Sequence, residues 1–169
     1  MKTVIALAMH GIPPNDFPRN ESAEFFRLNG QIGRATGEER AALIKRRDEL
    51  DVKMRNWPRT KENDPYQAWS LELAASLSEV TGNTVITGFN EFCAPALDEA
   101  IEQAVQAGAE QVVVVTAMMT RGGEHSEVEI PSAVNEAQKK HPDISFVYAW
   151  PFNVDEVAKF LADHVGHFA

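Results

Sequence analysis

The sequence predicts an α/β fold, a parallel sheet of about four strands with helices on both faces in a doubly wound arrangement. Short apolar, β-branched runs alternate with segments of helical periodicity along most of the chain. Glycine and proline stand at several of the junctions between them. This alternation favours βαβ units with right-handed crossovers. A chain of 169 residues fits one domain, so we predict a single domain over residues 1–169.

The sequence predicts a strand near the start of the chain and a long helical segment after it. Thr3–Met9 is an unbroken apolar run, which is typical of a strand covered on both faces. No strand pattern follows for about fifty residues, and we predict a helical insertion over residues 16–61. Within it, residues 18–28 could form a short helix, and Thr36-Gly-Glu-Glu39 indicates a capping box before a second one. The buried face of that second helix would carry Leu43, Leu50, Met54 and Trp57.

The elements after the insertion follow the regular alternation. Asp64 as N-cap and Pro65 in the first turn begin a helix that Gly82 ends. Trp69, Leu73, Leu77 and Val80 recur at helical spacing as its apolar face, and we assign Trp69 to core or lid packing. We then predict a strand at 84–89, a helix at 95–107, a strand at 111–117, a helix from about 129 to 140, a strand at 144–149 and a last helix at about 154–165.

Chemistry-bearing side chains stand in the loops that follow three of these strands. Because ligands bind beyond the carboxyl ends of parallel strands, we expect His10, Glu91 and His125 to lie at one edge of the sheet. Two of the loops therefore bring a histidine and the third brings a carboxylate. For His10 the alternative is a loop histidine without a special role, and for Glu91 it is a solvated or capping glutamate.

His10 and His125 predict a metal site. Neutral imidazoles suit nickel, cobalt, iron and zinc. A structural zinc site with four protein ligands is disfavoured, because the sequence has neither a CxxC pair nor an HExxH helix. A site with few protein ligands leaves coordination positions free for a second set of ligands, which a substrate would bring.

Composition excludes several other functions. A net charge of −9 argues against a general nucleic-acid binder, and the sequence has no nucleotide-binding glycine pattern. The apolar run at the start is too short to span a membrane, and a single cysteine suits the cytoplasm. The glycine-rich loop of residues 120–125 could hold an anion, but a phosphate-binding module would give His10 and Glu91 no purpose.

Several motifs occur in a family-specific order. The chain has Met9-His10-Gly11, then Glu91-Phe-Cys-Ala-Pro95-Ala-Leu97, a valine-rich strand, and Gly123-Glu-His125-Ser-Glu-Val-Glu129-Ile-Pro131. In these motifs it resembles the class II tetrapyrrole chelatases, of the small sirohydrochlorin cobaltochelatase and ferrochelatase type. The resemblance covers residues 1–25 and 64–165. It departs from the family in Glu129, where aspartate is usual, and in the insertion, which the shortest members lack.

The resemblance implies a chelatase-like fold and a lyase that inserts a divalent metal into sirohydrochlorin or a related tetrapyrrole in cobalamin biosynthesis. Co²⁺ is the expected metal, with Fe²⁺ or Ni²⁺ as alternatives; the metal is a substrate and no organic cofactor is implied. His10 would bind metal and accept protons from the macrocycle, and His125 would be the second metal ligand. The catalytic carboxylate Glu91 would also contact the tetrapyrrole, together with Thr120, Arg121, Gly122, Gly123 and Glu124.

The supporting residues and the assembly are also predicted. Glu129 is expected to cap the following helix or to orient His125 from behind, and Glu127 is an outer ligand candidate. Pro131 is expected in the first turn of a helix that starts near Glu129 or Ile130. The short chelatases correspond to half of a two-lobed enzyme, so we expect a homodimer. A non-catalytic metal or tetrapyrrole carrier on the same fold remains the alternative.

Positive charge is concentrated in the insertion. Residues 16–61 carry 11 basic and 8 acidic residues, a net charge of +3, whereas the rest of the chain has 5 basic and 17 acidic residues, a net charge of −12. One hypothesis is that the insertion is a lid that pairs with substrate carboxylates. The other is that its charges pair with its own acidic residues or serve a dimer contact. The lid would use Lys45, Arg46, Arg47, Lys53, Arg55 and Arg59, with Arg121 on the opposite loop.

Overall fold

The computed structural model describes residues 1–169 and confirms the predicted α/β fold. Four strands form one sheet in the order β2-β1-β3-β4, and every neighbouring pair is parallel. The strands lie close to their predicted positions. They are β1 (Thr3–Met9), β2 (Thr84–Phe89), β3 (Gln111–Thr116) and β4 (Ser145–Tyr148).

Six α-helices connect and cover the strands. None of them combines the length and the apolarity needed to cross a bilayer. A five-residue π-helical turn over His125–Glu129 leads directly into the fifth helix. The helices are α1 (Arg19–Ile32), α2 (Gly37–Arg55), α3 (Pro65–Thr81), α4 (Leu97–Gln106), α5 (Ile130–Lys140) and α6 (Val154–Val165).

The sheet is covered on both faces, as predicted. Helices α4 and α5 pack on one face, where alternate residues of β1 and β3 such as Val4 and Val112 are fully buried. Helix α3 lies on the other face against Leu7 and Phe89. Because β1 is sandwiched between these layers, its sequence is continuously apolar rather than alternating.

Helix α3 packs through only part of its predicted apolar face, because Leu73 contacts the core but Trp69 and Val80 do not. Asp64 caps the helix as predicted, accepting the backbone N–H of Gln67 at 2.9 Å. However, Trp69 and Val80 are 55% and 86% exposed, so the assignment of Trp69 to the packed interior is wrong. The buried residues of α3 are Ser70 and Ala74, whose small side chains let the helix lie close to the sheet.

The insertion forms a helical hairpin of α1 and α2, as predicted. Leu50 and Met54 are buried in its apolar cluster, and Leu43 and Trp57 pack against it. The predicted capping box does not form, because the Thr36 side chain makes no hydrogen bond to α2. The next residue, Gly37, has a left-handed φ of 56°, so the chain does not enter α2 with the geometry that such a box needs.

Helix α6 stands apart from the packed layers. It forms where predicted, and the Asn153 side chain caps its first turn. No residue of α6 is buried. Val154, Leu161 and Val165 are all more than half exposed and recur at helical spacing, so the helix presents an uncovered apolar stripe.

Candidate metal centre

His10 follows the last residue of β1 with its ring orientation fixed. Its Nδ1 lies 2.6 Å from the carbonyl oxygen of Gly11. Since a carbonyl only accepts hydrogen bonds, the proton must be on Nδ1, and Nε2 keeps a free lone pair. The backbone N–H of His10 donates to the Tyr66 hydroxyl at 3.1 Å, which ties the start of this loop to α3.

The loop that carries Glu91 runs directly alongside His10. The amide of Asn90 donates to the Met9 carbonyl and that of Glu91 to the His10 carbonyl, both at 2.8 Å. Gly11 has a φ of 90°, and a Cβ atom there would lie 1.9 Å from the carbonyl oxygen of Glu91. Only glycine tolerates both the conformation and the approach, so the His-Gly pair is what allows the two loops to meet.

His125 comes from the π-helical turn after β3, and its Nδ1 lies 2.6 Å from the Glu129 carboxylate. A carboxylate accepts the Nδ1 proton, so Nε2 of this ring is also left free. The His125 side chain is only 18% exposed. Both histidines are therefore held in the tautomer that keeps Nε2 available.

These three side chains converge. One potential ligand atom from each of His10, Glu91 and His125 lies within 4.8 Å of the others. The two imidazole centroids are 4.6 Å apart with the rings nearly perpendicular, and Nε2 of His10 is 3.7 Å from Oε2 of Glu91. Two imidazoles and a carboxylate suit a first-row divalent metal, and three protein donors leave coordination positions open.

Helix α5 begins at Ile130 and has Pro131 in its first turn, as predicted. The sequence did not predict the π-helical turn over His125–Glu129 that leads directly into it. The amide of Ile130 donates to the His125 carbonyl in the wider π pattern. Proline has no backbone N–H, so Pro131 cannot donate a hydrogen bond to the Ser126 carbonyl. That carbonyl accepts a hydrogen bond from the Tyr148 hydroxyl instead, at 3.1 Å.

The predicted substrate loop, residues 120–124, is exposed along its whole length and leads into His125. Arg121 and the amide of Gly122 both donate to the Glu127 carboxylate, at 3.1 and 3.3 Å. The hydrogen bond from Arg121 is the largest cause that lowers the pKa of Glu127 below its usual value. Glu127 therefore orders this loop and does not join the three-donor cluster.

Sequence reasoning missed Phe92, the residue after Glu91. Its ring stacks on His10 with centroids 6.3 Å apart, and it also contacts Phe25 and Phe26 of α1. Phe92 has a left-handed φ of 58° although it is not glycine. No sequence signal marks an aromatic residue for this conformation.

Most of the six basic residues assigned to the lid pair within the insertion, as the alternative hypothesis expects. Arg46 pairs with Glu24 and Glu49, Arg47 with Asp48, and Lys53 with Glu21. Arg59 and Asp64 form a buried ion pair, and Arg59 also donates to the carbonyls of Ile12, Met54 and Phe92. Internal pairing thus accounts for four of the six lid residues: Arg46, Arg47, Lys53 and Arg55.

A cavity of about 430 Å³ lies between the insertion and the Glu91 loop. Glu91 and Glu129 line it from the side of the sheet, and Phe25, Arg47 and Arg55 line it from the insertion. The insertion thus forms one wall of the space next to the three-donor cluster.

The sequence model of the CbiX family matches residues 62–165, which is more than half of the chain. The chain belongs to the CbiX family. The match contains Glu91, His125 and Glu129 but not His10, whose place beside them comes from the parallel pairing of β1 with β2 and β3.

Curated CbiX relatives resemble part of the chain. A sirohydrochlorin cobaltochelatase from Priestia megaterium is 42% identical over 74 residues, 44% of this chain and 24% of the relative. Another from Methanopyrus kandleri is 35% identical over 69 residues, 40% of this chain and 48% of the relative. The chain therefore spans less than half of the length of each over the matched residues.

One solved structure resembles the fold along almost the whole chain. It is a cobalamin (vitamin B12) biosynthesis CbiX protein from Marinobacter aquaeolei VT8, 16% identical, with a TM-score of 0.51. The alignment covers 98% of this chain and 95% of the other. At 16% identity, this likeness supports the fold assignment alone.

Proposed function

We propose that this protein is a chelatase that inserts a divalent metal into sirohydrochlorin or a related tetrapyrrole. The observation that supports it most is the convergence of His10, Glu91 and His125 within 4.8 Å at the strand ends. A site with two neutral imidazoles can bind the metal and still leave room for the nitrogens of a macrocycle.

The chemistry of the site suits the removal of pyrrole protons. Insertion requires two N–H protons to leave the macrocycle, and a neutral imidazole can act as the general base that accepts one of them. In this proposal Nε2 of His10 would release the metal to the macrocycle nitrogens and then accept one pyrrole proton, and Glu91, 3.7 Å away, would accept the other. His125, held by Glu129, keeps the metal while the proton leaves.

We propose Co²⁺ as the metal substrate, with Fe²⁺ or Ni²⁺ as alternatives. The names of the two curated relatives support cobalt. The donor set itself suits all three metals, because imidazole and carboxylate ligands bind each of them. The exposed residues Thr120, Arg121, Gly122, Gly123 and Glu124 would contact the rim of the tetrapyrrole.

A phosphate-binding role for the glycine-rich loop has little support. The carboxylate of Glu127 already accepts from Arg121 and from the amide of Gly122. A bound anion would have to displace it. The carrier alternative keeps the same metal site and differs from the proposed enzyme only in turnover.

We also propose that the protein is a cytoplasmic homodimer that uses helix α6. The support is the stripe of Val154, Leu161 and Val165, which stays exposed on a helix without a buried residue. A second copy would cover such a stripe in a two-fold interface.

The deciding experiment is an insertion assay. The protein is incubated with sirohydrochlorin and Co²⁺, and the absorption change of the macrocycle is followed against a protein-free control. The proposal predicts a rate well above the control that His10→Ala abolishes. A rate equal to the control would favour the carrier.

A further inference from the structure

Arg55, the last residue of α2, holds the backbone of the Glu91 loop. Its guanidinium donates to the carbonyls of Asn90 at 2.8 Å and Cys93 at 3.1 Å, and more distantly to that of Phe89 at 3.5 Å. Its Nε donates to Asp51 at 2.8 Å. With these partners the side chain is only 19% exposed, and the guanidinium is occupied rather than free for a substrate carboxylate.

The end of α2 and this loop each donate hydrogen bonds to the other. The amide of Ala94 donates to the backbone carbonyl of Arg55 at 3.2 Å. The carbonyls that accept hydrogen bonds from Arg55 stand on both sides of Glu91 in the sequence. On the opposite side the amide of Glu91 donates to His10, so the loop is held between the end of β1 and the end of α2.

This loop needs such support, because its conformation is unfavourable by itself. Phe92 occupies the left-handed region, which a non-glycine residue adopts at a cost in free energy that the surroundings must offset. A guanidinium presents several donors in a rigid plane and can fix several carbonyls at once.

We propose that Arg55 is a positioning residue that keeps the Glu91 carboxylate directed at His10 and His125. The proposal rests on the metal site of the proposed function and assigns the insertion a part in it. The insertion is then a buttress of the site rather than a lid, and its action is transmitted through the backbone of residues 89–93.

The test is a double-mutant cycle between Arg55 and Glu91, with Co²⁺ affinity as the readout. Co²⁺ binding to the full-length wild type, Arg55→Gln, Glu91→Gln and the double variant is measured by calorimetry. Because Arg55 acts through Glu91, Arg55→Gln should weaken Co²⁺ binding about tenfold in the wild type and have almost no effect once Glu91 is already glutamine. Arg46→Gln is the matched control, since Arg46 lies on α2 but pairs only with Glu24 and Glu49.

Two results of the double-mutant cycle would overturn the proposal. One is an unchanged affinity in Arg55→Gln, and the other is an equal loss with and without the Glu91 carboxylate. If Arg55→Gln does not fold, Arg55→Lys serves in the same cycle, because lysine keeps the charge with a smaller donor set. A wild type that binds no Co²⁺ would overturn both this proposal and the metal site, whereas an intact cycle without insertion activity would overturn the chelatase alone.

Discussion

Nδ1 of His125 lies 2.6 Å from Oε2 of Glu129, four residues further along the same helical run. This contact leaves Nε2 of His125 as the atom that can bind a metal. A partner behind a metal-binding histidine fixes its tautomer and raises its basicity, which is the role expected for Glu129 from the sequence.

Removing the Glu129 carboxylate should therefore weaken metal binding without unfolding the protein. We expect Glu129→Ala to lower Co²⁺ affinity by about 10–100-fold, measured by calorimetry. Glu136→Ala is the control, because Glu136 also belongs to this helical run but pairs with Lys139 on the surface. Equal affinities of the two variants would show that the contact does not support the site.

Gly11→Ala should disrupt the meeting of the His10 and Glu91 loops. The added Cβ would lie 1.9 Å from the Glu91 carbonyl at a φ of 90°, and the conformation alone costs about 1–2 kcal/mol. We expect a lower free energy of unfolding by urea denaturation, together with lost Co²⁺ binding. Gly30→Ala, within α1 and without a neighbour inside 4 Å, should be neutral or stabilising. A stable Gly11→Ala variant with full Co²⁺ affinity would contradict this account.

Much of the site could be predicted because strand patterns and strand ends are local signals. The apolar run of β1 and the valines of β3 fix the sheet, and a parallel sheet brings His10 and His125 to one edge. The apolar pattern predicted the packing of Leu73 in α3. It did not predict that Ala74 would be buried and Trp69 exposed, because a small residue carries a weaker apolar signal than a tryptophan. Arg55 was expected to pair with substrate carboxylates, because a sequence does not distinguish a guanidinium that donates to backbone carbonyls from one that faces solvent.

The Tyr148 hydroxyl should lose its proton only at a higher pH than an ordinary tyrosine. Burial raises the pKa of Tyr148 to about 12, above the value near 10 of an unfolded tyrosine. Ionisation then favours the unfolded chain, so the stability that Tyr148 contributes is present below about pH 10 and is lost as the pH rises toward 12. Tyrosinate absorbance should show a phase with a pKa of about 12 that Tyr148→Phe removes. A titration that leaves this phase in place in Tyr148→Phe would contradict the assignment.

The dimer proposal predicts that α6 controls the molecular mass. Leu161→Asp should give a monomer by light scattering at micromolar concentration, because it places a charge in the exposed apolar stripe. Ala162→Asp, on the next face of the same helix, should leave the wild-type mass unchanged. A monomeric wild type would exclude the dimer.

The central claim is a metal site built from both histidines, and calorimetric titration with Co²⁺ tests it most directly. His10→Ala, His125→Ala and the control His164→Ala are compared with the wild type, with circular dichroism to verify the fold. Since both site histidines lie in or beside loops, their loss should leave the fold intact. We predict one Co²⁺ per chain in the wild type and in His164→Ala, and strongly weakened binding in the two site variants. An unchanged Co²⁺ affinity in both site variants would contradict the account.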